Sequence, residues 1–108
     1  MGNHILLSLY GSAFHLLDDV DGIRAAFEKA VEACGATVLN RFSHKFHPQG
    51  VTIVYALAES HISAHTFPEN GSVAIDVYTC GDMNTQSAVD VLIDYFKPLK
   101  VSQRGVSR

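Results

Sequence analysis

The 108-residue sequence predicts an α+β fold, a two-layer α/β sandwich in which a mostly antiparallel sheet carries two helices on one face. Three features of the chain lead there. Apolar residues recur at three- and four-residue spacing in two segments, Ile23 to Cys34 and Ala88 to Phe96, as amphipathic helices require. Between them, Ser72 to Cys80 alternates strictly, with Val73, Ile75 and Val77 on one side and Asp76, Tyr78 and Cys80 on the other. Finally, the segments fall in the order β-α-β-β-β-β-α-β, so four strands follow one another without a helix to cross over.

The first strand is His4 to Tyr10, an apolar run bounded by Gly11 and Ser12. Asp19 or Asp21 can cap the first helix, whose buried stripe is Ile23, Ala26, Phe27, Ala30, Val31 and Cys34, and Gly35 stops it. Cys34 then belongs to the core as a small apolar thiol. Thr37 to Phe42 and Val51 to Ala58 read as the second and third strands, and His61 to Thr66 as a fourth that runs to Phe67-Pro68. Asn70-Gly71 is a hairpin turn signal before the alternating strand. Asn84 or Thr85 caps the last helix, with Ala88, Val89, Leu92, Tyr95 and Phe96 as its stripe, ended before Pro98. Leu99 to Ser102 closes the sheet as a short final strand. Two helices cover one sheet face only, and Val54, Ala56 and Ala58 make the other too apolar for full exposure, so a homodimer is expected.

Length and composition fit one domain over residues 1–108, with 47% hydrophobic and 18% charged residues and a net charge of −3. Nucleic acid needs a basic footprint that this balance lacks. No apolar stretch approaches the roughly 20 residues of a membrane-spanning helix, and the N-terminus shows no basic segment leading into a cleavable apolar run. A cytoplasmic protein with two reduced cysteines is expected.

The chemistry is concentrated in residues 59–81, which bring Ser, His, Glu, Asp and Cys together in one short stretch. His61, His65 and Cys80 are all capable zinc ligands, yet the segment is extended and holds neither H-E-x-x-H nor C-x-x-C, so no metal is expected. A thiol nucleophile at Cys80 activated by a histidine is a second reading. The bland alternative makes His65 a hydrogen-bonded core histidine and Cys80 a buried strand-end thiol.

The run Glu59-Ser60-His61-Ile62, followed by His65-Thr66, Pro68-Glu69, Ala74-Ile75-Asp76 and Thr79-Cys80-Gly81, resembles the signature of the bacterial-type S-adenosylmethionine decarboxylase proenzymes. His44, Phe46, Pro48 and Gly50 are similar to that family's H-x-F-x-P-x-G loop, and Gly35-Ala36-Thr37 to the end of its first helix. The resemblance runs from about His4 to Gly105. It implies self-cleavage between Glu59 and Ser60, with Ser60 converted into a covalent pyruvoyl cofactor and His65 promoting loss of its Cα proton. A keto group is the electron sink that losing CO₂ from an α-amino acid requires, through a Schiff base with the substrate amine. By the same resemblance Cys80 is the acid that protonates the product, and Phe46, Phe67 and Glu69 bind substrate. Thr52 supports processing, where relatives commonly have serine.

The activity so implied is conversion of S-adenosylmethionine to its decarboxylated form for spermidine biosynthesis, in a homodimer of cleaved protomers. Two other readings stand beside it: pyruvoyl-dependent decarboxylation of arginine or ornithine, and an unprocessed, non-catalytic dimeric partner. Adenine stacking by Phe46 and ribose binding by Glu69 favour the first over a basic amino acid.

Overall fold

A computed structural model describes residues 2–80 and 83–108. Its elements in chain order are β1 (Gly2–Tyr10), α1 (Phe14–Leu17), α2 (Val20–Cys34), β2 (Val38–Lys45), β3 (Val51–Leu57), β4 (Ser60–Phe67), β5 (Ser72–Cys80), α3 (Thr85–Phe96) and β6 (Lys100–Ser107). The strands form one six-stranded sheet in the order β2-β3-β4-β5-β1-β6. Every neighbouring pair is antiparallel.

α2 begins where Asp19 accepts a hydrogen bond from the Gly22 N–H at 3.0 Å. It ends at Gly35, whose φ of 76° is left-handed backbone that a residue without a Cβ adopts freely. Its buried residues are Ile23, Ala26, Phe27, Ala30, Val31 and Cys34, the stripe that the sequence spacing predicts. α3 starts at Asn84, which accepts from the Ser87 N–H, and buries Ala88, Val89, Leu92 and Phe96. Tyr95 is only half-buried, with its hydroxyl donating to the Leu16 carbonyl at 3.0 Å. Burial pushes the Tyr95 phenol up to about 12.

Both helices lie on one sheet face, against Leu7, Leu9, Ile53, Tyr55, Leu57, Ile62, Ala64, Val73, Ile75 and Val77. The alternate residues of the same strands form a second face that none of the described elements covers. It carries His4 and Leu6 from β1, Thr52, Val54 and Ala56 from β3, His61, Ser63 and His65 from β4, and Ala74, Asp76 and Tyr78 from β5. The predicted two-layer sandwich is therefore what the chain adopts. Among the described residues, no helix is long and apolar enough to cross a membrane.

Several boundaries differ from the sequence reading, each for a physical reason. The last strand runs from Lys100 to Ser107 rather than ending at Ser102, because it is an edge strand whose residues are nearly all exposed and so carry no alternation. α1 is a single turn of four residues, too short for a periodic signal. Asn70-Gly71 closes a 3-10 turn that starts at Pro68, with Gly71 left-handed, instead of a two-residue hairpin loop. Ala58 falls outside β3, in the exposed turn that follows it.

Phe27 is fully buried and meets the Tyr55 ring edge-to-face at 5.2 Å between centroids, joining α2 to the sheet. Phe27→Ala is expected to cost about 3–5 kcal/mol of unfolding free energy, measured by urea denaturation. A loss below about 1 kcal/mol would show that this contact does not hold the two layers together.

Candidate active site

β3 and β4 form a hairpin whose last ladder pair is Leu57↔Ser60, leaving Ala58 and Glu59 as a two-residue turn. Glu59 has φ of 64°, one of two described non-glycine residues with positive φ. Left-handed backbone at such a residue costs on the order of 1–3 kcal/mol and persists only where its surroundings enforce it. Favoured hairpin turns have positive φ at the first loop position or at both. Here only the second has it, so the peptide bond between Glu59 and Ser60 leaves a turn of a disfavoured kind. The Ala58 N–H donates to the Thr37 carbonyl at 3.0 Å and ties the turn to the start of β2.

Ser60 is half-buried, and its hydroxyl lies 3.5 Å from the Ala58 carbonyl and 4.0 Å from the Met83 sulfur, at the approach to α3. As the cross-strand partner of buried Leu57 it shares the helix-covered side of the sheet. Cys80 is half-buried at the same end of the sheet, at the end of β5, two residues beyond the His61↔Tyr78 pair. By alternation it belongs to the uncovered side. Gly81, which follows it in the sequence motif, lies outside the described residues.

The remaining predicted site residues gather elsewhere. Thr52 and His65 are cross-strand partners on the uncovered face, and the Thr52 hydroxyl and His65 Nδ1 share a hydrogen bond of 2.9 Å. With Phe46, His47, Gln49, Gly50, Phe67 and Glu69 they line a cavity of about 420 Å³, within the range of small-molecule sites. Phe46 and Phe67 are exposed there, free to stack on a ligand rather than spent on the core. His65 also borders a second depression of about 370 Å³, shared with Leu6, Ser8, Ser63, Ala74 and Asp76. A larger hollow of about 680 Å³ between α2 and α3 holds none of the predicted site residues.

The structure thus brings Thr52, His65, Phe46, Phe67 and Glu69 together and keeps Ser60 and Cys80 apart from them. Ser60 and His65 are five residues apart on one strand, roughly 16 Å at the rise of a β-strand, and face opposite sides. Spacing in the sequence conceals this separation.

A polar cluster that the motif reading missed sits between the two groups. Asp76 accepts from His4 Nε2 at 3.0 Å and His61 Nε2 at 3.2 Å through one carboxylate oxygen, and from the Ser63 hydroxyl through the other. His4 packs edge-on against both His61 and Tyr78. His4, His61 and Asp76 converge closely enough to hold an ion. The donors nevertheless satisfy the carboxylate, and the Arg108 guanidinium lies 3.4 Å from His4 Nδ1, a charge that opposes a bound cation. His61 and Asp76 stand in the sequence motif and the period-two alternation puts Asp76 on the uncovered face, but nothing in the sequence joins either to His4. Burial by itself raises the Asp76 carboxyl, but hydrogen bonds from Ser63, His4 and His61 outweigh it and hold the group below the usual carboxylate range.

An antiparallel α+β sandwich with a half-buried polar array on an uncovered sheet face defines a small enzyme-like domain, and comparison with known proteins says which. The profile of the S-adenosylmethionine decarboxylase family matches residues 3–108. The chain is 42% identical to the S-adenosylmethionine decarboxylase proenzyme of Brevibacillus brevis, over 99% of this chain and 81% of that one. It is 45% identical to the proenzyme of Methanococcus vannielii, over 100% of this chain and 89% of that one. The crystal structure of the adenosylmethionine decarboxylase from Aquifex aeolicus superposes with a TM-score of 0.92 at 38% identity, covering 100% of this chain and 90% of that one. The chain belongs to the S-adenosylmethionine decarboxylase family.

Because its native ionisation is favoured, Asp76 contributes stability above the unfolded aspartate pKa of about 3.9, and that contribution disappears as pH falls through the lower native value. The urea midpoint difference between wild type and Asp76→Asn is therefore expected to shrink between about pH 5 and about pH 3. A difference that stays constant over that interval would show that the cluster does not hold the carboxylate ionised.

Proposed function

We propose that this chain is a self-processing, pyruvoyl-dependent decarboxylase that converts S-adenosylmethionine to its decarboxylated form for spermidine biosynthesis. The observation that carries the reading is the Glu-Ser bond at a two-residue hairpin tip, with Glu59 in left-handed backbone. Attack by the Ser60 hydroxyl on the Glu59 carbonyl replaces the amide with an ester and relieves the turn. Loss of the Ser60 Cα proton then expels Glu59 as a carboxylate and leaves dehydroalanine. Tautomerisation, addition of water and loss of ammonia yield the keto group. The products are residues 1–59 and residues 60–108.

Once formed, the pyruvoyl group supplies the electron sink for decarboxylation. The chain's own residues bind and move protons around it. Phe46 and Phe67 offer aromatic faces for adenine and for the sulfonium charge, and Glu69 offers a carboxylate for the ribose hydroxyls. Cys80, at the same sheet end as Ser60, holds the proton that the product carbon takes up. Cutting the turn frees residue 60 from the hairpin, so its new end can reach the uncovered face where Cys80 lies.

Ser60 and the His65 pocket cannot serve one site within a single copy, since about 16 Å of β4 separates them. A second copy resolves this. Stacking two uncovered faces about a two-fold axis, strands opposed, lays the His65 pocket of one copy over the Ser60 end of the other. The same contact covers Leu6, Phe42, Val54 and Ala56, which otherwise leave an apolar sheet face in water. Each site would then be completed by His65, Thr52, Phe46 and Glu69 across the interface.

Two measurements test the reading. Intact mass of the purified protein is expected to show two chains, the second with a ketone end, whereas Ser60→Ala remains one chain and loses turnover by at least about a thousandfold. A wild-type preparation that is active and uncleaved would end the proposal, and one that is inactive and uncleaved would favour the non-catalytic partner. Co-expressing Ser60→Ala with His65→Ala is expected to restore scission and activity in mixed dimers, which hold one complete site. If no activity returns although mixed dimers form, the shared site is wrong.

A further inference from the structure

The loop that carries Phe46 into the pocket is held from the opposite side by a carboxylate on the helical layer. The loop closes on itself through the Phe46 N–H, which donates to the Gly50 carbonyl at 2.8 Å. Gly50 has φ of 112°, which only a residue lacking a Cβ tolerates well. Its own N–H donates to Asp18 Oδ1 at 2.8 Å, 32 residues away in sequence. The Lys45 ammonium pairs with the same Asp18 oxygen at 3.0 Å and donates to the Phe46 carbonyl at 2.9 Å. Asp18 thus grips the loop at both of its ends. Asp18 is itself fixed as the cap of α1, donating its N–H to the Phe14 carbonyl at 3.1 Å. Next to it, the buried Thr66 hydroxyl donates to the Leu17 carbonyl at 2.7 Å and accepts from the Val51 N–H at 2.8 Å, fixing the start of β3 to the same turn.

We infer that Asp18 is a positioning residue for substrate binding: through Gly50 and Lys45 it sets the height and direction of the Phe46 ring over the pocket. This rests on the reading of that pocket as the substrate's. α1, a single helical turn, places Asp18 and Leu17 at the loop's back. Asp18 and Lys45 bond to Gly50, Phe46 and each other and not to Thr52 or His65, so scission and the chemical step are expected to be spared. The Gly50 hydrogen bond, strengthened by the Lys45 charge, also keeps the Asp18 carboxyl below the usual carboxylate range.

Steady-state kinetics with S-adenosylmethionine on Asp18→Ala, Asp18→Asn, Lys45→Met and Phe46→Ala test the inference, with intact mass confirming that each variant is cleaved. Asp18→Ala is expected to raise KM roughly tenfold with kcat within about twofold of wild type, the pattern of lost uniform binding. Asp18→Asn keeps an oxygen acceptor for the Gly50 N–H, and Lys45→Met keeps the Gly50 bond to Asp18, so each is expected to raise KM by less than Asp18→Ala does. If Phe46→Ala raises KM while Asp18→Ala leaves it unchanged, the latch is refuted and the pocket reading stands. If Phe46→Ala leaves KM unchanged, the pocket reading fails and takes the latch with it. If Asp18→Ala and Asp18→Asn both lower scission and kcat together with KM effects, Asp18 supports the fold as a whole and the inference is overturned.

Discussion

Register across the β3–β4 hairpin governs where Thr52, Ser60, His61 and His65 point. Leu57 opposite Ser60, Thr52 opposite His65 and Ala56 opposite His61 are consequences of one pairing, set by a turn of only two residues. A slip of one residue would send Ile62 and Ala64 into solvent and His61, Ser63 and His65 into the apolar layer beneath the helices. Burial of Ile53, Tyr55, Leu57, Ile62 and Ala64 against α2 and α3 forbids that slip. The hydrophobic layer therefore does more than stabilise. It fixes the phase of the polar side, and it loads onto Glu59 the unfavourable backbone that a tight turn in this register requires.

The same segregation explains the asymmetry of the molecule's two faces. One is closed by side chains such as Phe27, Phe96 and Leu92, which make an ordinary core. The other mixes Leu6, Phe42 and Val54 with the His4–Asp76–His61 cluster, a composition that suits neither open water nor a dry interior. Polar groups there already satisfy one another, so covering them costs less than their number suggests. Arg41 and Glu28 make a comparable arrangement at the far edge, where Glu28 takes hydrogen bonds from Arg41 and Tyr55 and links α2 to β2 and β3.

What the sequence disclosed follows from which physical signals are periodic. The α2 stripe from Ile23 to Cys34 and the alternation of Val73 to Cys80 were legible because burial repeats with the backbone's own period. β6 was legible only in part, as an exposed edge strand has no buried side to declare itself. The Glu59-Ser60 and His65 motif was readable as a family resemblance, yet its linear spacing gave no sign that Ser60 and His65 lie on opposite sides of one strand. Contacts such as Asp18 to Gly50, Thr66 to Leu17 and His4 to Asp76 join residues 32, 49 and 72 positions apart, and no local pattern encodes them.

The strand order β2-β3-β4-β5-β1-β6 interleaves the two halves of the polypeptide on either side of Glu59. β1 comes from the first half and lies between β5 and β6 of the second, while β3 and β4 meet across the divide. A break at that bond leaves two strands of protein woven through three ladders, with neither able to depart without dismantling the sheet. Maturation of this kind would be a ratchet: the covalent path home is erased while the architecture persists, and a molecule once unravelled must find its other half by collision, at a rate set by how crowded its solution is.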